Sequence, residues 1–205
     1  MDDARRALVR VSAALSPCGG AADLREALKE AADVAEPTQV EEVLLQAYLF
    51  AGYPTALNAF RIWREVSGRA APAALADDAD EWARRGPEVF GVVYGEQAER
   101  LRSNVAALHP DLDRWALNEG YGKVLGRPGL DLATRELCIA ALLAGMDAEP
   151  QLYAHARGAL NAGATEDDVE EALREAARLV TPERARAARE VWARVRERRR
   201  ERNGN

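Results

Sequence analysis

Apolar residues recur every three to four positions along almost the whole chain, which is the pattern of amphipathic helices. No segment alternates apolar and polar residues like a half-buried strand, and no Asn-Gly turn joins two such segments. Glycine and proline clusters separate the helical segments, for example at residues 17–20 and 126–129. The sequence therefore predicts an all-α protein built from helical hairpins.

The predicted helices fall into four parts. An N-terminal helical unit covers residues 1–66, and a linker with Gly68, Pro72, Gly86 and Pro87 around a short helical piece covers 67–88. A second helical unit covers 89–180, and an Arg-rich helix covers 181–205. Helices are predicted at 2–15, 22–34, 39–52 with Thr38 as the cap, 54–66, 77–85, 95–108, 111–125, on both sides of residues 145–147, from Thr165 to 180, and from Pro182 to Arg202.

A short internal repeat links the two helical units. Residues 40–44 read VEEVL and residues 169–173 read VEEAL, and each run follows an Ala-rich helix. This indicates duplicated helical units that pack with pseudo-symmetry. Glu26 occupies the position of His155 in the first copy, so only the second copy has the Glu/His pair described next.

The stretch from Arg127 to Thr165 predicts two antiparallel helices joined near Gly145. Glu136 lies about nine residues before the turn and His155 about nine after it, so at about 1.5 Å rise per residue they reach matching depth. Glu136 shares its helix face with apolar residues, so its carboxylate is expected in apolar surroundings opposite His155. This pair is the strongest candidate for chemistry in the sequence.

Composition narrows the functional classes. The net charge of −6 argues against general nucleic-acid binding, and no apolar run is long enough to cross a membrane. The N-terminus is a poor secretory signal, and two cysteines are too few for a disulfide framework, so the cytoplasm is the expected location. His109 and His155 lie 46 residues apart without ligand spacing, so no metal site is expected, and no Gly-rich loop suggests a nucleotide.

Residues 109–137 read HPDLDRWALNEGYGKVLGRPGLDLATREL, and residues 151–173 read QLYAHARGALNAGATEDDVEEAL. These two runs resemble the carboxymuconolactone decarboxylase family, which includes the alkylhydroperoxidase D-like proteins. The resemblance extends over about 89–178. VEEVLLQAYLFAGYPTALNAFR, within 38–66, resembles the helix pair that normally follows the Gly-Ala-Thr element of the family. Here this pair comes earlier, as if a trailing half preceded a leading half.

The resemblance implies an alkylhydroperoxidase D-like helical fold and a homo-oligomer, commonly a trimer or a hexamer. In the peroxidase-like branch, an acid, a CxxC motif and a His form a proton relay. Aligning that His with His155 puts the acid at Glu136 and the two cysteines at Ala148 and Gln151, so both thiols are missing. Cys138 has no resolving partner, so thiol peroxidase activity is not expected, and the decarboxylase branch is the better match.

The expected activity is a cofactor-independent decarboxylation, or a related lyase or isomerase step, on a small carboxylated lactone or carbon acid. His155 is the predicted general acid and Glu136 its orienting partner. Arg135 and Arg127 are candidates for binding the substrate carboxylate, and Tyr121 for supplying a hydroxyl donor.

Several alternatives stay open at this point. The Glu136–His155 pair would also serve as a buried hydrogen bond that locks the hairpin, in a non-catalytic oligomeric scaffold or small-molecule-binding protein of the same fold. A redox protein that uses Cys138 would need an accessible thiol of low pKa. The Arg-rich helix predicts docking through Ala187, Val191, Trp192 and Val195, on its own chain or on a neighbouring subunit. Tyr48 and Tyr53, together with Phe50, are expected at a subunit or half-domain contact.

Overall fold

The computed structural model describes residues 1–204, and this part of the chain is helical without any strand. The predicted all-α class is therefore confirmed. A 3₁₀ turn at Gly95–Gln97 precedes α6, and π-helical turns at Ala116–Leu125 continue α7. The α-helices are α1 (Asp3–Ala14), α2 (Ala21–Val34), α3 (Pro37–Ala51), α4 (Tyr53–Ser67), α5 (Ala79–Tyr94), α6 (Ala98–Leu108), α7 (Pro110–Trp115), α8 (Leu132–Leu143), α9 (Glu149–Asn161), α10 (Glu166–Ala176) and α11 (Pro182–Asn203).

Two of the three predicted helix caps are confirmed. The Asp131 carboxylate accepts a hydrogen bond from the Thr134 N–H at the start of α8, and Thr165 forms a capping box with Asp168 at the start of α10. The prediction of Thr38 as a cap was wrong. Glu36 is the N-cap of α3, because Pro37 already has the fixed φ of a first helical turn.

The predicted linker is only partly irregular. Residues 68–78 form no regular structure, but α5 begins at Ala79 and continues through Gly86 and Pro87 to Tyr94. Gly86 is required there because a Cβ at this position would lie 2.2 Å from the Leu117 carbonyl oxygen of the π-helical segment. The Gly-Pro pair therefore marks a close contact between two helices instead of a break.

The two ends of the chain have the same helical arrangement. A shift of 129 residues carries the start of α1 onto the start of α8 and the start of α4 onto the start of α11. It also carries the starts of α2 and α3 onto those of α9 and α10 to within a residue. Helices α5 to α7 lie between the two copies. The predicted duplication thus extends over four helices, and α1–α2 corresponds to the α8–α9 hairpin that carries Glu136 and His155.

Contacts between the two copies are reciprocal. The Arg6 Nε donates to Glu171 at 2.7 Å, and Arg135, 129 positions after Arg6, donates through Nη2 to Glu42 at 2.8 Å. The equivalent residues Arg5 and Thr134 hydrogen-bond to each other at 2.9 Å. Such i-to-j and j-to-i contacts are the signature of a two-fold relation, so the halves pack about a pseudo-two-fold axis.

Helix α8 lies at the centre of this arrangement and contacts α1, α3, α9 and α10. All of its residues except the first are buried. A polar side chain on α8 therefore has to find its partner inside the protein.

The C-terminal helix packs on its own chain. α11 contacts α9 and α10, and it buries Val191, Trp192 and Val195, with Ala188 buried beside them and Ala187 only half-buried. Among residues 1–204, no helix has both the length and the apolar character needed to cross a bilayer.

Candidate active site

The α8–α9 hairpin brings Glu136 and His155 into direct contact. His155 Nδ1 lies 2.8 Å from Glu136 Oε2, and the exposed fractions of the two residues are 5% and 0%. An ionised carboxylate only accepts hydrogen bonds, so with Glu136 ionised Nδ1 carries the proton of this bond and Nε2 is the nitrogen left for chemistry. Nε2 has no hydrogen-bonding partner among residues 1–204, and 7% of the imidazole side chain is accessible.

Gly158 makes room for the carboxylate. It lies one turn after His155 on α9, where a Cβ would approach Glu136 Oε2 to 2.6 Å and Val93 Cγ1 to 2.7 Å. A larger residue would displace Glu136 or α5. The site therefore depends on Gly158, which has no side chain to react or bind, and the sequence analysis did not single it out.

The second carboxylate oxygen of Glu136 is unusual. Oε1 is buried and has no hydrogen-bonding partner in the described part of the chain. Buried polar atoms are normally paired, and an exception calls for an explanation such as a catalytic role or an ordered water molecule. Oε1 of Glu136 is therefore an acceptor that no residue in the described part of the chain uses.

The first half of the chain contributes to the site through Phe50. The Phe50 ring packs edge-on against the His155 ring, with 5.4 Å between centroids and 86° between planes. Residues 38–66 therefore reach this site within the same chain. Sequence reasoning placed Phe50 at a packing contact only, and the partial repeat was the one signal that the halves would meet here.

Two buried tyrosines lie near the carboxylate. The Tyr121 hydroxyl donates to the Tyr94 hydroxyl at 2.7 Å, and Phe90 packs against both rings. Burial raises the pKa of Tyr94 to about 12 and that of Tyr121 well above its usual value, and the negative charge of Glu136 adds to both increases. Both phenols are therefore protonated at neutral pH. Tyr121 was predicted as a hydroxyl donor, whereas Tyr94 was missed.

The predicted carboxylate anchors have an internal partner instead. Arg135 is fully buried, and its guanidinium donates to Glu42 at 2.8 Å, while the Arg127 Nε lies 3.1 Å from both oxygens of Glu42. Burial lowers the pKa of Arg135, and the bond to Glu42 opposes that shift. Arg6 makes the same contact in the half without a Glu/His pair. This indicates a bracing role for Arg135, and substrate binding by Arg135 or Arg127 stays a prediction.

Cys138 does not meet the requirements of a redox thiol. It is completely buried in α8, and burial raises its pKa far above the usual value of a thiol. A reactive cysteine needs accessibility and a lowered pKa, so the redox interpretation is excluded for this residue. In the described part of the chain, no cluster of His, Cys, Asp and Glu has the arrangement of a metal site.

Comparison with known proteins matches residues 110–194 to the carboxymuconolactone decarboxylase family, and this range contains both Glu136 and His155. Peroxisomal protein 2 of Schizosaccharomyces pombe is 31% identical over 166 residues, which cover 76% of each chain. Nitrosuccinic acid decarboxylase npaB of Metarhizium robertsii is 37% identical over 101 residues, 48% of this chain and 66% of that protein. Peroxisomal protein 2 of Saccharomyces cerevisiae is 26% identical over 159 residues, 63% of this chain and 56% of that protein.

Proposed function

Because this chain belongs to the carboxymuconolactone decarboxylase family and contains a buried Glu136–His155 hydrogen bond in the matched region, we propose that it is a decarboxylase acting without a cofactor on a small carbon acid. The 2.8 Å contact between His155 Nδ1 and Glu136 Oε2 is the observation that supports this proposal most directly. It gives an imidazole a fixed orientation and a counter-charge, as general acid catalysis requires.

The proposed reaction proceeds in two steps. The bond between the substrate carbon and its carboxylate breaks, carbon dioxide leaves, and the electron pair moves into an acceptor group of the substrate. The imidazolium of His155 then transfers its Nε2 proton to the substrate carbon, and a proton from water restores it. Glu136 stabilises the imidazolium through Nδ1 and holds the ring in place.

The substrate therefore needs an electron-accepting group beside its carboxylate. A carboxylated lactone provides a carbonyl for this purpose, and a nitro acid such as the substrate named for the Metarhizium relative provides a nitro group. We propose this general class, with Tyr121 as a hydroxyl donor near the site and Arg135 or Arg127 as carboxylate anchors to be tested. Because Arg135 is fully buried, it is the weakest of these candidates.

We also propose that the protein forms a homo-oligomer, a trimer or a hexamer, and has no nucleic-acid or membrane partner. The cytoplasm is its proposed location. The names of two relatives place those proteins in the peroxisome, and imaging of the tagged full chain in its native cell would distinguish the two compartments.

The test is release of carbon dioxide from carboxymuconolactone and from nitrosuccinate by wild type, Glu136→Gln and His155→Ala. We expect each variant to lose about 10²- to 10⁴-fold in turnover, the usual contribution of general acid–base catalysis. His109→Ala is the matched control, because His109 is exposed at the start of α7. Folded variants of Glu136 and His155 with wild-type turnover would contradict the assigned roles.

A second candidate is a non-catalytic scaffold or small-molecule-binding protein of the same fold. The burial of Glu136 and His155 favours it, because a fully buried pair also stabilises a helical hairpin. In that case the wild type releases no carbon dioxide from either substrate, and His155→Ala lowers the free energy of unfolding without another effect.

A further inference from the structure

A cavity of about 440 Å³ lies next to the candidate active site, on the side of the first half of the chain. Its walls come from the α1–α2 turn, the start of α2, the end of α3, helix α4 and the α8–α9 turn. Known small-molecule sites have volumes of about 300–1,000 Å³ and mostly apolar walls with a few polar groups. The cavity meets both criteria, since Leu15, Leu24, Ile62 and Met146 line it together with Thr55 and Asn58.

The cavity has an uncharged lining. No lining residue in the described part of the chain is charged, although 30% of all residues are. The start of α2 lies in the wall, and the dipole of a helix makes its N-terminus partly positive. The carboxylate of Asp23 already balances this charge, because it accepts a hydrogen bond from the Gly20 N–H at 2.9 Å. A ligand carboxylate inside this cavity would lack a cationic partner and lose its hydration. The cavity therefore suits an uncharged, mainly apolar group.

Phe50 connects this cavity with His155. It is one of the residues that line the cavity, and its ring is in edge-on contact with the His155 imidazole at 5.4 Å between centroids. The cavity and the imidazole therefore share one side chain as a neighbour.

The pseudo-symmetric position in the second half holds a long side chain. Arg184 stands where Thr55 stands in the first half, 129 residues earlier, and its guanidinium bonds the Met146 carbonyl at 3.1 Å and Asp147 at 2.9 Å. The short side chain of Thr55 leaves this space open. The cavity is therefore specific to the side that faces Phe50 and His155, and the duplicated fold alone does not explain it.

We propose that this cavity binds the body of the substrate, and that the substrate is a monocarboxylate whose remaining part is uncharged and largely apolar. Its single carboxylate then points past Phe50 toward His155. This inference rests on the proposed decarboxylase function. It names a narrower substrate class than the first test, because nitrosuccinate and carboxymuconolactone each carry a second carboxylate and are expected to be poorer substrates than an apolar monocarboxylate.

The test is calorimetric binding of two probes, 3-phenylpropanoate and succinate, to the full chain. We expect 3-phenylpropanoate to bind at least about tenfold more tightly than succinate. Ile62→Trp fills the cavity and should weaken 3-phenylpropanoate binding by about tenfold or more. Asn58→Trp should also fill the cavity and weaken 3-phenylpropanoate binding. Because Asn58 is exposed on α4, this substitution should leave the fold intact. Leu57→Trp is the matched control, because Leu57 is exposed on the same helix and lies outside the cavity lining.

Three results would overturn the inference: succinate binding as tightly as 3-phenylpropanoate, no binding of 3-phenylpropanoate, or equal weakening by Leu57→Trp and Asn58→Trp. Binding does not require turnover, so these results are independent of the decarboxylase proposal. If dicarboxylic substrates are turned over by the wild type and equally by Asn58→Trp, the substrate class fails while the catalytic roles of Glu136 and His155 stand.

Discussion

The carboxylate of Glu136 shows how single residues determine this site. Oε2 bonds His155, and Oε1 has no partner among residues 1–204. The space for Oε2 exists because position 158 is glycine. Gly158 belongs to a helix, where glycine is unfavourable by about 0.5–1 kcal/mol relative to alanine. Its presence is explained by the approach of Glu136.

Gly158→Ala should therefore destabilise the protein although alanine is the better helix former. The new methyl group overlaps Glu136 Oε2 and Val93 Cγ1, and overpacking of this kind costs about 1–3 kcal/mol. Gly91→Ala is the control, because nothing lies within 4 Å of its added Cβ on α5. Urea unfolding measures both variants, and equal free energies of unfolding would show that Glu136 moves aside without cost.

The buried tyrosines predict a loss of stability at alkaline pH. The pKa of Tyr94 is raised to about 12, above the ordinary value of about 10 that applies in the unfolded chain. The folded state therefore favours the neutral phenol. The free energy of unfolding is unaffected below pH about 10 and falls as the pH rises from about 10 to about 12.

A pH titration checks this prediction when the absorbance of the ionised phenol and the circular dichroism are recorded together. Some of the five tyrosines should ionise only when the protein unfolds, and Tyr94→Phe should reduce the absorbance change that accompanies unfolding. Tyr53→Phe, at a position that is 67% exposed, is the control. Complete, reversible ionisation of all tyrosines in the folded protein would contradict the prediction.

Between elements, the contact of α3 with α8 depends on buried charges. Glu42 is 4% exposed and pairs with Arg127 and with the fully buried Arg135, which also donates to the Arg127 carbonyl at 3.0 Å. Buried ion pairs add little net stability, but removal of one partner leaves a charge in a medium that does not solvate it.

Glu42→Gln should lower the free energy of unfolding by about 3–5 kcal/mol, because Arg135 stays buried without a carboxylate. The control is Glu65→Gln, which breaks the exposed Arg25–Glu65 pair between α2 and α4 and should cost at most about 1 kcal/mol. Chemical denaturation of both variants measures the difference. Similar small effects would mean that Arg135 reaches another partner or water, which would reopen its predicted role as a substrate anchor.

At the scale of the whole molecule, the chain consists of two related halves with only one Glu/His pair. Ala7 and Glu26 occupy the positions of Glu136 and His155 in the first half, so that half supplies packing, the Glu42 brace and Phe50. Helices α6 and α7 lie between the halves, and the described part of the chain buries none of their residues.

That exposed segment bears on the proposed oligomer. Leu108, Leu112 and Trp115 are 80%, 46% and 54% exposed, and an exposed apolar patch of this kind favours association. We expect light scattering to show a trimer or hexamer and Leu108→Asp to give a smaller species. Val34→Asp, at another exposed apolar position, should leave the mass unchanged. A monomeric wild type would contradict the proposed homo-oligomer, including the expected contact of Tyr48 and Tyr53.

Local patterns determined much of this protein. The helical class, most helix limits, the capping of α8 and α10, and the pairing of Glu136 with His155 all follow from spacing within a helix or across one short turn. These features depend on residues close in sequence, and for that reason periodicity and capping rules predict them.

The tertiary structure decided what depends on distant segments. It placed Phe50 against His155, gave Arg135 the carboxylate of Glu42, carried α5 through Pro87 and opened a cavity beside Thr55. The first two result from the packing of the two halves, in which the partner of a residue lies about a hundred positions away. The other two depend on contacts between different helices, such as that of Gly86 with the π-helical segment. The hydrophobic pattern specifies which face of a helix is buried, but the residue that meets this face is fixed only when the helices pack.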